Sequence, residues 1–358
     1  MTPAAPPPAR VRPHEFADSD DSAHPPQGDA SWSESFLVQA YCPRNSIGFF
    51  AHTNRTSWDT ALWSEVVAVY LPGDRFAVAK GFGYGPSAHQ IGGSLSFEAP
   101  LPFEENITRY RGAVQLIDGQ ILRDGPAPSG MHVGLDVELT QHALGAPFGV
   151  GDVRPGNFGH THYEQHFRCS GQITLDGERL YVEGTGMRDH TWGPRDLSVM
   201  GNHFWIHGEF PNGRWLSTMC ITRRGGGDAL LNFHVIGDRA GMTHASLVSH
   251  DALLDAESEV FDPWRIELQV GGETQEICGE IIAPMPFSFV GPVEMTLGTD
   301  RTPRASHVVY ESQARLSWNG QIGYGLCERT VARPRKTSHE VKSQAARRRG
   351  GGNARCSS

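Results

Sequence analysis

The densest run of reactive side chains in the sequence is Gly184-Thr185-Gly186-Met187-Arg188-Asp189-His190-Thr191-Trp192-Gly193-Pro194-Arg195-Asp196. Within nine residues, among glycines and a proline, it gathers two Asp, two Arg, one His and one Trp. The His and Trp argue for at least partial burial, and buried charges must be paired. Arg188 and Arg195 are therefore expected in forked ion pairs, with Asp189 and Asp196 or with acids of other strands. Such a network can simply staple two β-domains together. It can also do proton-transfer chemistry, because a carboxyl held in an apolar site has a raised pKa and keeps its proton at neutral pH. An aromatic face beside it can stabilise a cation that has no hydrogen-bonding handle.

Two further segments carry candidates. His160-Thr161-His162-Tyr163-Glu164-Gln165-His166 raises the question of metal, but it contains no HExxH and no carboxylate triad at firm spacing, so its histidines are read as the polar face of a barrel strand and no metal is assigned. Gly323-Tyr324-Gly325-Leu326-Cys327-Glu328 places Tyr324 and Glu328 on one face of a strand, with glycines that let another backbone or a ligand come close.

Together these blocks resemble the carotenoid 1,2-hydratase (hydroxyneurosporene synthase) and AttH-like superfamily over about residues 160 to 330. The carrying pieces are Tyr163-Glu164-Gln165, Gly186 to Asp196 with its Asp-His-x-Trp-Gly core, and Gly323-Tyr324-Gly325-Leu326-x-Glu328. The resemblance implies two lipocalin-like β-barrels in tandem, a site between or inside them, an apolar substrate and no cofactor. In that family a carboxylic acid protonates an isoprenoid double bond and water captures the tertiary cation. The family His-x-Trp element maps onto His190 and Trp192. A family Tyr and Asp on a later strand have no Tyr-x-Asp counterpart here, and Trp205-Ile206-His207-Gly208-Glu209 stands in that place.

Strand alternation puts Asp189 and Thr191 opposite His190 and Trp192. The reading favours His190 with Trp192 toward the cavity, with the acid drawn from Glu164, Glu209 or Asp196. The catalytic candidates are thus Asp189, His190, Trp192, Asp196, Glu164 and Glu209. Tyr163, Trp205, His207, Tyr324 and Glu328 are candidates for substrate contact, and Arg188 and Arg195 for structural ion pairs.

The elements that must position these residues read as short strands. Leu62 to Tyr70 and Phe76 to Lys80 flank the turn Pro72-Gly73-Asp74, and Ile173 to Leu175 and Leu180 to Val182 flank Asp176-Gly177-Glu178. Val133, Leu135, Val137 and Leu139 alternate as on a half-buried strand. Phe204 to Phe210, Trp215 to Thr222, Leu230 to Ile236, Trp264 to Val270, Gln275 to Ile282, Val308 to Leu316 and Gly323 to Arg329 continue the pattern. No stretch keeps a 3.6-residue apolar stripe. The expectation is an all-β chain of two tandem antiparallel barrels or sandwiches. Its parts are a disordered leader (1–30), an N-terminal β-domain (31–188), a C-terminal β-domain (189–332) and a basic disordered tail (333–358).

Composition agrees. Gly and Pro, 42 and 24 of 358 residues, are about half as frequent again as usual. The net charge is −9, yet the tail from Arg333 onward holds eight Lys and Arg against one Glu. An acidic body excludes a nucleic-acid binder. No apolar run is long enough to span a membrane, and the N-terminus shows no signal-peptide pattern; the tail leaves peripheral membrane contact open. Six cysteines without a CxxC pair read as reduced thiols of a cytoplasmic protein. The functional expectation is a cofactor-independent lyase or isomerase that hydrates, dehydrates, isomerises or cyclises an isoprenoid or similar apolar substrate. The alternatives are a hydrophobic-ligand carrier and a shaped cavity for pericyclic closure.

Overall fold

The structure, a computed structural model, describes residues 16–26, 28–85, 91–150, 161–254, 261, 263–290 and 294–333. The expected basic tail beyond Arg333 and His160 lie outside the described residues.

The first sheet contains β1 (Trp32–Cys42), β2 (Ile47–Thr56), β3 (Asp59–Leu71), β4 (Arg75–Tyr84), β5 (Ile91–Gly92), β6 (Leu95–Leu101), β7 (Glu105–Asp118), β8 (His132–Ala143), β9 (Phe148–Gly149), β10 (Thr161–Leu175) and β11 (Glu178–Pro194). Its order is β4-β3-β2-β1-β11-β10-β8-β7, and β7 pairs back onto β4 from Arg75↔Asp118 to Val78↔Gln115. The sheet is therefore a closed eight-stranded antiparallel barrel, with no free edge along that ring.

The second sheet contains β12 (Met200–Glu209), β13 (Trp215–Arg223), β14 (Leu231–Asp238), β15 (Gly241–His244), β16 (Ser246–His250), β17 (Trp264–Val270), β18 (Glu273–Phe289), β19 (Met295–Leu297), β20 (His307–Trp318) and β21 (Gln321–Ala332). Its order is β15-β14-β13-β12-β21-β20-β18-β17-β16. A single residue, Ala245, joins β15 to β16, so the two ends of the sheet meet and it too curls into a barrel. The expected tandem of lipocalin-like antiparallel barrels is what the chain forms.

Turn chemistry sets the hairpins. Asp176-Gly177 and Asn319-Gly320 carry φ of 51°, 82°, 48° and 74°, the left-handed pair that a two-residue turn between twisted strands requires. Inside each barrel lies an apolar core, with Val38, Phe49, Val67 and Leu135 in the first and Ile206, Leu216, Ile266 and Leu316 in the second. A third core joins the barrels, with Leu37, Phe50 and Met187 meeting Trp205, Met285 and Leu326.

Both barrels follow one plan. In each, the first strand pairs with the last: β1 with β11, and β12 with β21. Leu37 opposes Asp189, which opposes Glu164. In matching register Trp205 opposes Glu328, which opposes Glu311. The barrels meet reciprocally, β1 on β21, β11 on β12, and β11 on β21, as in an isologous interface.

Two expected boundaries move. Residue 188/189 falls inside β11, whose register with β1 runs on to Trp32↔Pro194, and the chain changes sheet over residues 195–199. The expected disordered leader, as far as it is described, is ordered. Residues 16–26 lie against the first barrel and form a 3-10 turn, Asp18–Asp21, whose last residue is buried on Arg188. A short ionic clasp, invisible as an apolar pattern, holds the segment.

Candidate active site between the two barrels

β11 sorts the signature block by alternation. Arg188, His190 and Trp192 point into the first barrel, and Asp189 and Thr191 point toward the second barrel. This reverses the expectation that His190 and Trp192 face the shared cavity. Both ring nitrogens of His190 are engaged, at 3.0 Å from Glu34 Oε1 and 3.0 Å from the Asp20 carbonyl oxygen. Its ring stacks on Phe36 at 3.8 Å, and Trp192 stacks on His24 at 4.0 Å. Arg55 donates to Glu34 Oε2 from Nε at 2.9 Å. Burial alone would raise Glu34, but hydrogen bonds from His190 and His24 and the Arg55 charge outweigh it and hold the carboxyl at about 2. Arg188 pairs with Asp21, an acid from another segment, and donates to Gln165 Oε1 at 3.0 Å; the Tyr163 hydroxyl donates to Asp21 at 2.7 Å. These groups close the end of the first barrel over the leader, and both His190 nitrogens and the Glu34 and Asp21 carboxylates are already engaged within the protein.

The cavity lies between the barrels. It is narrow, about 70 Å³, smaller than the ~300–1,000 Å³ of most small-molecule sites. Apolar walls come from Leu37, Trp205, Met219, Phe287, Met295 and Val309. Polar groups come from His52, His162, Asp189, Arg195, His203, Glu311 and Glu328. They converge because β1, β11 and β21 are buried on both faces, one in a barrel and the other at the interface.

The carboxyls of this cavity differ in their surroundings. Glu311 and Glu328 oppose each other on β20 and β21. Burial and the neighbouring Glu328 carboxylate push Glu311 well above the carboxylate range. Glu328 is buried as well, but its ion pair with His203 keeps it below the usual value. Of this hydrogen-bonded pair, Glu311 is the carboxyl that holds a proton more tightly. Asp189 is raised to about 7, chiefly by burial, against the attraction of His162. His52, beside them, is lowered to about 3 by burial and by Arg195, so it is neutral. An acid that holds its proton near neutral pH, facing an apolar space with an indole wall, is equipped to protonate an alkene or a hydroxyl.

The other expected residues lie elsewhere. Glu164 lies in the interface, where it accepts from the Ser217 hydroxyl. Asp196 is exposed and accepts from Ser198 N at 2.8 Å as the cap of a 3-10 turn, away from the cavity. Arg195 reaches the cavity wall and donates to Ser35 Oγ at 3.3 Å. Trp205 lines the cavity, whereas His207 and Glu209 form a separate buried cluster with His166. Tyr324 packs on Tyr41, 5.2 Å between ring centres. Sequence reasoning missed Glu311 and His203. Their signal was an acid and a histidine inside strands buried along most of their length. Among the described residues two side-chain groups have metal-ligand spacing, His24–Glu34–His190 and His166–His207–Glu209. Arg55, the His24 amide and the Asp20 carbonyl already satisfy the first.

Comparison with known proteins fits this architecture. A family profile described as a domain of unknown function, DUF7064, matches residues 17–333. No curated protein matches the sequence. Among solved structures, a Nitrosomonas europaea protein assigned as AttH is 15% identical, with a TM-score of 0.58 over 92% of this chain and 100% of its own. Kievitone hydratase from Nectria haematococca is 10% identical, with a TM-score of 0.54 over 93% and 98%. CghA is 12% identical, with a TM-score of 0.51 over 88% and 95%. At such identities the likeness is one of fold, the tandem-barrel fold that the AttH-like resemblance implied. Among the described residues no helix is long and apolar enough to cross a membrane, and the five described cysteines form no disulfide.

Proposed function

Because the chain belongs to the DUF7064 family, a domain of unknown function, its chemistry has to be read from its own cavity, and we propose that it is a lyase or isomerase acting by proton transfer on an apolar, isoprenoid-like substrate between the barrels. The observation that carries this reading is the Glu311–Glu328–His203 array in an apolar cavity. In the proposed step the double-bond electron pair takes the Glu311 proton. The new cation lies against Trp205 and Phe287, whose π faces substitute for solvent. Water then adds and gives its proton to Asp189, or a neighbouring C–H gives its proton to Asp189 directly. The first course is hydration and the second isomerisation, or cyclisation where a second double bond of the substrate attacks the cation and closes a ring before the proton leaves; dehydration is the reverse of the first. That a protein of this fold bears the name of a hydratase supports testing hydration first.

The test is incubation with a panel of acyclic isoprenoids in oxygen-18-labelled water, read by mass spectrometry. Label uptake marks hydration, and an unlabelled product of unchanged mass marks isomerisation or cyclisation. Glu311→Gln should form neither product. A protein that holds one lipid per chain and returns it unchanged is a carrier, and the enzymatic reading then fails.

A further inference from the structure

The shared plan of the barrels gives each interface residue a counterpart. By register Gln39 on β1 matches His207 on β12, Gln313 on β20 matches His166 on β10, and Tyr41 matches Glu209. At one end of the interface Gln39 Nε2 donates to Gln313 Oε1 at 2.6 Å, and Tyr41 lies against Tyr324. At the other end the matching positions hold two imidazoles and a carboxylate.

All three of those side chains are buried, and one donor atom from each lies within 4.8 Å of the other two. His166 Nδ1 donates to Glu209 Oε1 at 2.5 Å. His207 is 0% exposed, and neither of its ring nitrogens has a hydrogen-bond partner; His166 Nε2 has none either. Leaving such nitrogens buried and unsatisfied is costly. The His24–Glu34–His190 group differs on this point, since its nitrogens and oxygens are all occupied.

We propose that His166, His207 and Glu209 bind one divalent first-row transition ion of the zinc class, which ties β10 of the first barrel to β12 of the second. Two imidazoles and a carboxylate are a ligand set that zinc uses, and bonds of about 2.0–2.2 Å place tetrahedral ligand atoms about 3.4 Å apart. Small side-chain rotations bring the present spacing to that value. Burial disfavours a charged His207 and so favours the neutral imidazole, the form that ligates. The frame is stiff. The Trp215 ring lies 4.5 Å from that of His166. A Cβ on Gly325 would come within 1.9 Å of the His207 carbonyl oxygen, so only glycine lets β21 lie this close behind the site.

The test uses the full chain, purified without metal-affinity steps, and zinc alone as the probe. After dialysis against zinc and then against metal-free buffer, the wild type should retain one zinc per chain by mass spectrometry, and its Tm should rise with zinc. The double variant H166Q/H207Q copies the Gln39–Gln313 arrangement; it should fold, retain no zinc, and show a Tm indifferent to zinc. If it does not fold, Glu209→Gln serves the same comparison, with weaker retention expected. Cobalt in place of zinc should give the wild type the visible absorption of a four-coordinate ion. A wild type that retains no zinc, or a folded variant that retains as much as the wild type, overturns the proposal.

Discussion

Glu311→Gln keeps the shape and neutrality of a protonated carboxyl but removes its acidic proton. Turnover on an accepted isoprenoid should fall about 10²–10⁴-fold, with circular dichroism unchanged. Asp189, raised to about 7, must lose its proton to act as base. The rate kcat/KM should therefore climb as pH rises through about 7, and Asp189→Asn should erase that limb. Glu34 gives a prediction on stability. Its carboxyl is held at about 2 against an ordinary 4.5, so its contribution is full above pH 4.5 and lost as pH falls through 2. The difference is worth about 3 kcal/mol. Urea unfolding at pH 3 and pH 6 should show about 2 kcal/mol of it, and Glu34→Gln should flatten the difference.

The leader is the element whose role is most exposed to test. The side chains of Arg188 and Asp21 are 8% and 1% exposed, so removing residues 1–26 leaves a buried guanidinium without its carboxylate. The loss should be about 3–5 kcal/mol in urea unfolding, and Arg188→Met in the truncated chain should recover part of it. At this scale the sequence was legible where strands have one wet face. The alternation of Val133 to Leu139 and the Asp176-Gly177 turn led directly to β8 and to the β10–β11 hairpin. It was least legible where strands are buried on both faces. All eleven residues of β1 are buried, so no alternation marks it, and nothing local tells which face of β11 meets the second barrel. Hence His190 and Trp192 were expected in the cavity, while Asp189 is there. The tie between Asp21 and Arg188 spans too much chain to be read from spacing.

For the whole molecule, the interface is the functional unit, since Asp189 comes from one barrel and Glu311 and Glu328 from the other. Its pairing can be measured. Gln39→Leu or Gln313→Leu alone leaves one amide buried without its partner and should cost about 1–3 kcal/mol; the double variant should cost less than the sum of the two, by urea unfolding. The covalent joining of the barrels also has a consequence for what the interface can contain. In a symmetric pair of separate, identical barrels every substitution is made twice, so both ends of the interface change together. One chain carrying both barrels lifts that restriction: a glutamine pair occupies one end and a histidine pair the other, and an aspartate in one half answers a glutamate in the other. The five residues that cross between the barrels are what allow the two ends to differ.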